Sequence, residues 1–169
     1  MPSSRELISS NVLGSTASSV TFSSIPSTYK DLVLRCSIRD TQSAQFVSAF
    51  LQVNSITSGY SYTYLRGNSA SVASNYDTAQ SKFFVSNNNA NTSTSSTYAS
   101  LEIYIPNYNS SSNRIISSNN VCEDNSSSPV YQLILAGLLQ STAAVTSLTV
   151  LANTSFATNS SFYLYGIKS

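Results

Sequence analysis

The stretch DLVLRCSIRD, Asp31–Asp40, decides how this chain is read. Leu32, Leu34, Cys36 and Ile38 fall on one set of alternate positions, and Val33, Arg35, Ser37 and Arg39 on the other. Successive side chains of a strand point to opposite faces, so this is a strand with one face in a core. The same period recurs along the chain. In FVSAFLQVN, residues 46–54, it groups Val47, Ala49, Leu51 and Val53. In YSYTYLR, residues 60–66, it groups Tyr60, Tyr62, Tyr64 and Arg66. In ASLEIYI, residues 99–105, it sets Ala99, Leu101, Ile103 and Ile105 against Ser100, Glu102 and Tyr104. Only Tyr131–Leu139 also satisfies a helical period, and a strand suits it equally well.

Turn residues punctuate these runs: Pro26 in SSIPSTYKD, Gly59 in NSITSGY, Pro106 with its asparagines in IPNYNSSSN, and EDNSSSP before Val130. The spacing predicts eight to ten strands in one all-β domain, an antiparallel β-sandwich over residues 14–169. Residues 1–13 are expected to form a short N-terminal arm, and the polar run SNNNANTSTSST, residues 86–97, a long surface loop. The chain closes on SSFYLYGIKS, with Phe162, Leu164 and Gly166 on one side and Tyr163, Tyr165 and Ile167 on the other. Apolar residues on both sides indicate an interior strand, expected to pair with VTSLTVL across ANTSFATNS. Gly166 is expected to mark a close approach or a bulge.

Composition narrows the function. Of the 169 residues only 9% are charged, against roughly 25% in ordinary soluble domains. Ser, Thr and Asn make up about two fifths of the chain. The net charge is +1 and the eight basic residues are scattered, which argues against a nucleic-acid or anionic-membrane partner. No run approaches the ~18 apolar residues of a membrane helix. The opening MPSSRELISS has no apolar core of a secretion signal, so synthesis in a reducing cytoplasm is expected and the five glycosylation-like triplets are discounted. Cys36 and Cys122 read as buried small hydrophobes rather than a disulfide.

Catalytic chemistry is scarce. The chain has no histidine, which removes the commonest general base and metal ligand. Five dispersed glycines make no phosphate-binding loop. Seven scattered carboxylates match no calcium-loop spacing, and Glu123, Asp124 and Asn125 read as a solvated turn. Neither a cofactor nor a metal is expected. Arg35 and Arg39 are expected to form modest ion pairs with Asp31 or Asp40, or to contact another subunit. A chain with so few charges protects its sheet edges poorly, so much of its surface is expected to be covered by other subunits.

Several segments carry a family resemblance. LISSNVLGSTASSVTFSSIPSTYKDLVLRCSIR, LQVNSITSGYSYTYLRGNSAS, LEIYIPNYNSSSN and VTSLTVLANTSFATNSSFYLYGIKS resemble the successive units of small virion proteins of tailed phages of marine bacteria, including cyanobacteria. The resemblance runs from about Leu7 to Ser169 and is weakest over residues 68–97. It implies a β-sandwich of jelly-roll type and no enzymatic activity, and it transfers no functional residues. The expected role is a capsid decoration or cement protein, a trimer on the outer capsid surface that bridges major capsid protein subunits. The alternative is a tail-fibre or head-fibre module binding host-surface glycan through loops 68–97 and 106–129. The expected contact residues are Arg5, Leu7 and Ile8 of the arm, the stripe Tyr60, Tyr62 and Tyr64, and Tyr163 and Tyr165 of the last strand.

Overall fold

The computed structural model describes residues 4–69, 71–126 and 131–168. Among them are twelve strands and no helix. The strands are β1 (Arg5–Val12), β2 (Ala17–Phe22), β3 (Asp31–Ile38), β4 (Phe46–Val53), β5 (Tyr60–Asn68), β6 (Ser71–Gln80), β7 (Phe83–Asn89), β8 (Ala99–Ile105), β9 (Arg114–Cys122), β10 (Tyr131–Leu139), β11 (Leu148–Phe156) and β12 (Ser161–Ile167). They form two antiparallel sheets, one of eight strands in the order β1-β12-β3-β8-β9-β10-β5-β6 and one of four in the order β2-β11-β4-β7. The result is a β-sandwich with unequal layers. A jelly roll has eight strands in two Greek keys; here twelve strands divide eight and four.

The sequence pattern accounts for most of the core. Leu32, Leu34, Cys36 and Ile38 of β3 are buried, as are Ala49, Leu51 and Val53 of β4 and Leu101, Ile103 and Ile105 of β8. The ambiguous segment Tyr131–Leu139 is a strand, with Leu133, Leu135 and Leu139 inward. Cys36 and Cys122 are both buried and unbonded to each other. Two glycines admit aromatic rings. A Cβ on Gly137 would lie 1.9 Å from the Phe83 ring, and one on Gly166 would lie 2.2 Å from the Tyr29 ring. Gly166 is thus the close approach that its place in β12 suggested.

Three expectations are corrected. The N-terminal arm is not an arm over its described part. Arg5–Val12 is the edge strand β1, paired to β12, with a register shift between Leu7 and Ser9 that turns Ile8 onto the core. That bulge breaks the alternation by which strands are recognised. Met1, Pro2 and Ser3 lie outside the described residues. The polar run 86–97 is not all loop: Ser86–Asn89 end β7, where Ser86, Asn88 and Asn89 are fully buried. The strand β12 is interior but pairs with β1 and β3, while the VTSLTVL strand, β11, lies in the other sheet between β2 and β4.

Two buried arginines hold the loops at the ends of the sandwich. Arg39, just past β3, donates to the carbonyls of Thr94 (2.9 Å), Thr97 (2.9 Å) and Ser93 (3.0 Å). Arg114, at the start of β9, donates to the carbonyls of Ser110, Ser112, Thr142 (3.3 Å) and Ala143 (2.7 Å) and to Ser110 Oγ (3.1 Å). Among the described residues neither guanidinium has a carboxylate within ion-pair distance. Arg39 therefore does not pair with Asp31 or Asp40. Asp40 instead accepts from the backbone N–H groups of Gln42, Asn153 and Thr154.

The buried thiols and phenols make the fold sensitive to base. Burial pushes the Cys36 thiol far up and the Cys122 thiol to about 12. Burial also raises Tyr60 and Tyr108, and raises Tyr62 to about 12 with help from the charge of Asp77. The hydrogen bond to Asp31 raises Tyr104. The folded state keeps these groups neutral where unfolded thiols and phenols, with ordinary values of 9.0 and 10.0, ionise. A raised folded pKa gives stability that is complete below the unfolded value and lost as pH climbs to the folded one. The urea midpoint is therefore expected to fall continuously between about pH 9 and pH 12. A flat midpoint over that window would contradict this.

Candidate interaction surface

Residues directly opposite on paired strands share a face. Across the outer face of the large sheet, one row runs Leu7, Tyr165, Val33, Tyr104, Ser117, Ala136, Thr63 and Tyr76. The next runs Tyr163, Arg35, Glu102, Asn119, Ile134, Leu65 and Ser74. Among the described residues the exposed large apolar side chains are Leu7, Val12, Leu65, Val72, Tyr76, Ile115, Val121 and Ile134. By this register all eight stand on the outer face of the large sheet.

The local cause is clearest in β9. Its inward positions are Arg114, Ile116, Ser118, Asn120 and Cys122, all buried. Ser118 donates to the Val85 carbonyl (2.7 Å), and Asn120 donates to the Ser100 carbonyl (3.2 Å). The strand thus turns polar groups inward, where Ser118 and the Asn120 amide group find partners while Asn120 Oδ1 does not, and leaves Ile115 and Val121 outward. In β10 both sides are apolar, so Ile134, Ala136 and Leu138 face out while the leucines fill the core.

The face has two chemically distinct ends. Near β1, Arg35 Nε meets Glu102 at 2.7 Å and Arg5 lies 3.7 Å from the same carboxylate. These side chains are half-exposed, so the cluster contributes little to stability. Tyr163 and Tyr165 flank it, and Val33 is buried between its cross-strand partners Tyr165 and Tyr104. The other end, across β9, β10, β5 and β6, carries no Lys, Arg, Asp or Glu in its outward rows. Here a shallow groove of about 370 Å³ runs between Tyr76 and Ile115 over Thr63, Ala136 and Leu138. Scattered exposed apolar residues are ordinary; here Leu65, Val72, Tyr76, Ile115, Val121 and Ile134 stand close together, interleaved with uncharged polar residues such as Ser74, Ser117 and Asn119.

No family model, curated protein or solved structure matches this chain. The assignment of a role therefore rests on the geometry of this face and on the motifs quoted above.

The expected contact residues separate. Arg5, Leu7, Tyr163 and Tyr165 come together on the outer face at its β1 end. Ile8 turns inward at the bulge. Tyr60 is fully buried, and its hydroxyl accepts from the Val53 N–H at 2.8 Å, so it cannot meet a partner. Tyr62 and Tyr64 face the small sheet, with ring centroids 5.7 and 5.6 Å from Phe83 and Phe84 respectively. The alternation placed the three tyrosines on one face but not on which one. The outward residues Leu65, Val72, Tyr76, Ile115, Val121 and Ile134 went unread, because an apolar residue on a strand is ordinarily assigned to the core.

Several carboxylates have structural employment. Asp31 accepts from Tyr104 Oη and the Asn107 N–H, both at 2.8 Å. Glu123 accepts from the N–H groups of Asp124 and Asn125, and Asp124 from Gln45 and Ser126. Among the described residues no three Cys, Asp or Glu side chains gather closely enough to hold a metal ion.

Proposed function

We propose that this chain is a non-enzymatic structural protein that works by adhesion, with the outer face of its large sheet docked on another protein. The observation that carries this reading is the gathering on that face of all eight exposed large apolar side chains found among the described residues. Together with the resemblance to phage virion proteins, it supports a capsid decoration or cement protein whose partner is the major capsid protein at the outer surface of the head. A partner that binds only the assembled shell stabilises it by mass action, by about 2.7 kcal/mol per site at a hundredfold excess over Kd.

The test replaces exposed apolar residues that the fold does not need. Leu65→Lys with Ile134→Glu should leave the urea midpoint nearly unchanged, because both side chains are more than half exposed and the two new charges, directly opposite on paired strands, are of opposite sign. Binding to assembled major-capsid-protein shells should weaken by roughly a hundredfold, as expected for two central apolar anchors lost from an interface. Undiminished binding to the shells would sink the reading.

One observation favours the glycan alternative. Tyr76 is 73% exposed and stands beside the groove with Thr63 and Thr78, an aromatic ring among hydrogen-bonding groups. Glycan-array binding abolished by Tyr76→Ala, with no affinity for shells, would select it.

A further inference from the structure

We propose that β6 is a self-association edge: two copies pair through it, antiparallel about a two-fold axis at Ser74, and the two large sheets become one. This goes beyond the adhesion reading and does not depend on it, because it concerns the isolated chain.

An edge strand presents unpaired N–H and C=O groups, and proteins ordinarily blunt such edges. Three of the four edges here are blunted. The edge strand β1 has a bulge and carries Arg5 and Glu6. The edge strand β2 is six residues long. The edge strand β7 is almost wholly buried, and its last residue bridges Arg39. The fourth, β6, is ten residues long and exposed at nearly every position. It contains no Lys, Arg or Pro, and Asp77 is its one formal charge.

The occupant is argued from the pattern of β6 itself. Val72 and Tyr76 are each 73% exposed, the two most exposed large apolar side chains among the described residues. They lie four residues apart on the outer face, with Ser74 midway. A two-fold axis through Ser74 sets each copy's Tyr76 directly opposite the other's Val72, twice over. Aromatic–β-branched pairs of this kind are favourable across strands. The same register sets Asp77 opposite Ser71, so no like charges meet. It also brings Asp77 of each copy diagonally toward Arg66 of the other, on the shared inner face two strands away. A second copy satisfies all of these conditions at once, whereas a foreign strand would have to match them separately. Pairing one edge with itself is isologous and closes at two copies. The alternative of β6 against β1 would run on into a filament, and β1 is bulged and charged. The joined outer faces would then present the apolar rows of both copies side by side.

Sedimentation of the full chain tests this. The wild type should be a dimer at tens of micromolar. Tyr76→Lys, which removes two symmetric pairs, should raise the dimer Kd by roughly tenfold or more, with the urea midpoint unchanged at protein concentrations low enough that both forms are monomers. Ser74→Cys should cross-link to a covalent dimer under mild oxidation, because directly opposed residues bring Cβ atoms about 5 Å apart. Tyr76→Cys should not cross-link to itself. The native thiols, being buried, do not compete. A wild-type monomer at these concentrations would overturn the proposal and leave the edge to a strand of another protein. A trimer or larger species indifferent to Tyr76→Lys would overturn it too, as would a dimer in which Ser74→Cys fails to cross-link.

Discussion

Removal of residues 160–169 is expected to abolish folding, not to trim a tail. These residues contain β12, which hydrogen-bonds to β1 on one side and β3 on the other. Phe162 and Leu164 are fully buried, and Phe162 packs edge-on to Phe156 of the small sheet at 5.1 Å between centroids. Burying a side chain of this size is worth about 1.5–3 kcal/mol. The truncation also strands β1, strips one edge of β3 and removes the seat of Tyr29 at Gly166. Domains have about 5–15 kcal/mol of net stability, and losses on this scale consume it. The truncated chain should show neither near-UV circular dichroism nor a cooperative urea transition. A sharp transition with native-like dichroism would refute the expectation.

Arg114→Ala is the second large effect. The planar guanidinium reaches two loops simultaneously, taking Ser110 and Ser112 on one side and Thr142 and Ala143 on the other. Arg114 is 1% exposed, and its removal empties the space its side chain fills and takes the charged donor from carbonyls of loop residues that themselves lie at the surface. Hydrogen bonds to a charged group contribute about 1.5–3 kcal/mol, and truncating a buried side chain adds the cost of the cavity it leaves. A loss of about 3–5 kcal/mol in urea unfolding is expected, with the denaturant slope retained. Arg114→Lys should recover only part of it, since an ammonium lacks the fork that spans both loops. A loss below about 1 kcal/mol would show that the loops hold without this side chain.

What the sequence made legible follows from where local pattern and tertiary need agree. In β3, β4 and β8 the alternation is clean and each strand buries its apolar side. Gly166 was legible because a glycine in an apolar strand needs a neighbour that occupies its missing Cβ. The bulge at Leu7 and Ser9 hid β1 by putting two residues where the period allows one. The strand β7 was hidden because Ser86–Asn89 look like a loop, and only the overlying strands β8 and β9 explain their burial. Pairing β12 with β11 followed the tendency of consecutive strands to be neighbours, but the chain between them crosses from the small sheet to the large one. The candidate surface was hardest of all. Ile115, Ile134 and Leu65 are apolar residues in strands, and nothing local distinguishes a core position from an outward one when polar residues occupy the core beside it.

The pairing of β1 with β12 also bears on how the chain is threaded. Lys168 donates its N–H to the Ser4 carbonyl at 3.2 Å, and its ammonium meets Glu6 at 2.6 Å. The two ends of the described chain therefore lie side by side at one edge of the large sheet, so the path is close to a closed ring. Its strand order does not depend on where that ring is cut, and new ends placed in a surface loop would preserve every pairing. Chain leaving Ser4 or Lys168 departs from the β1 side of the sheet. That is seven strand spacings, roughly 34 Å, from β6, on the far side of the sheet from the edge that pairs.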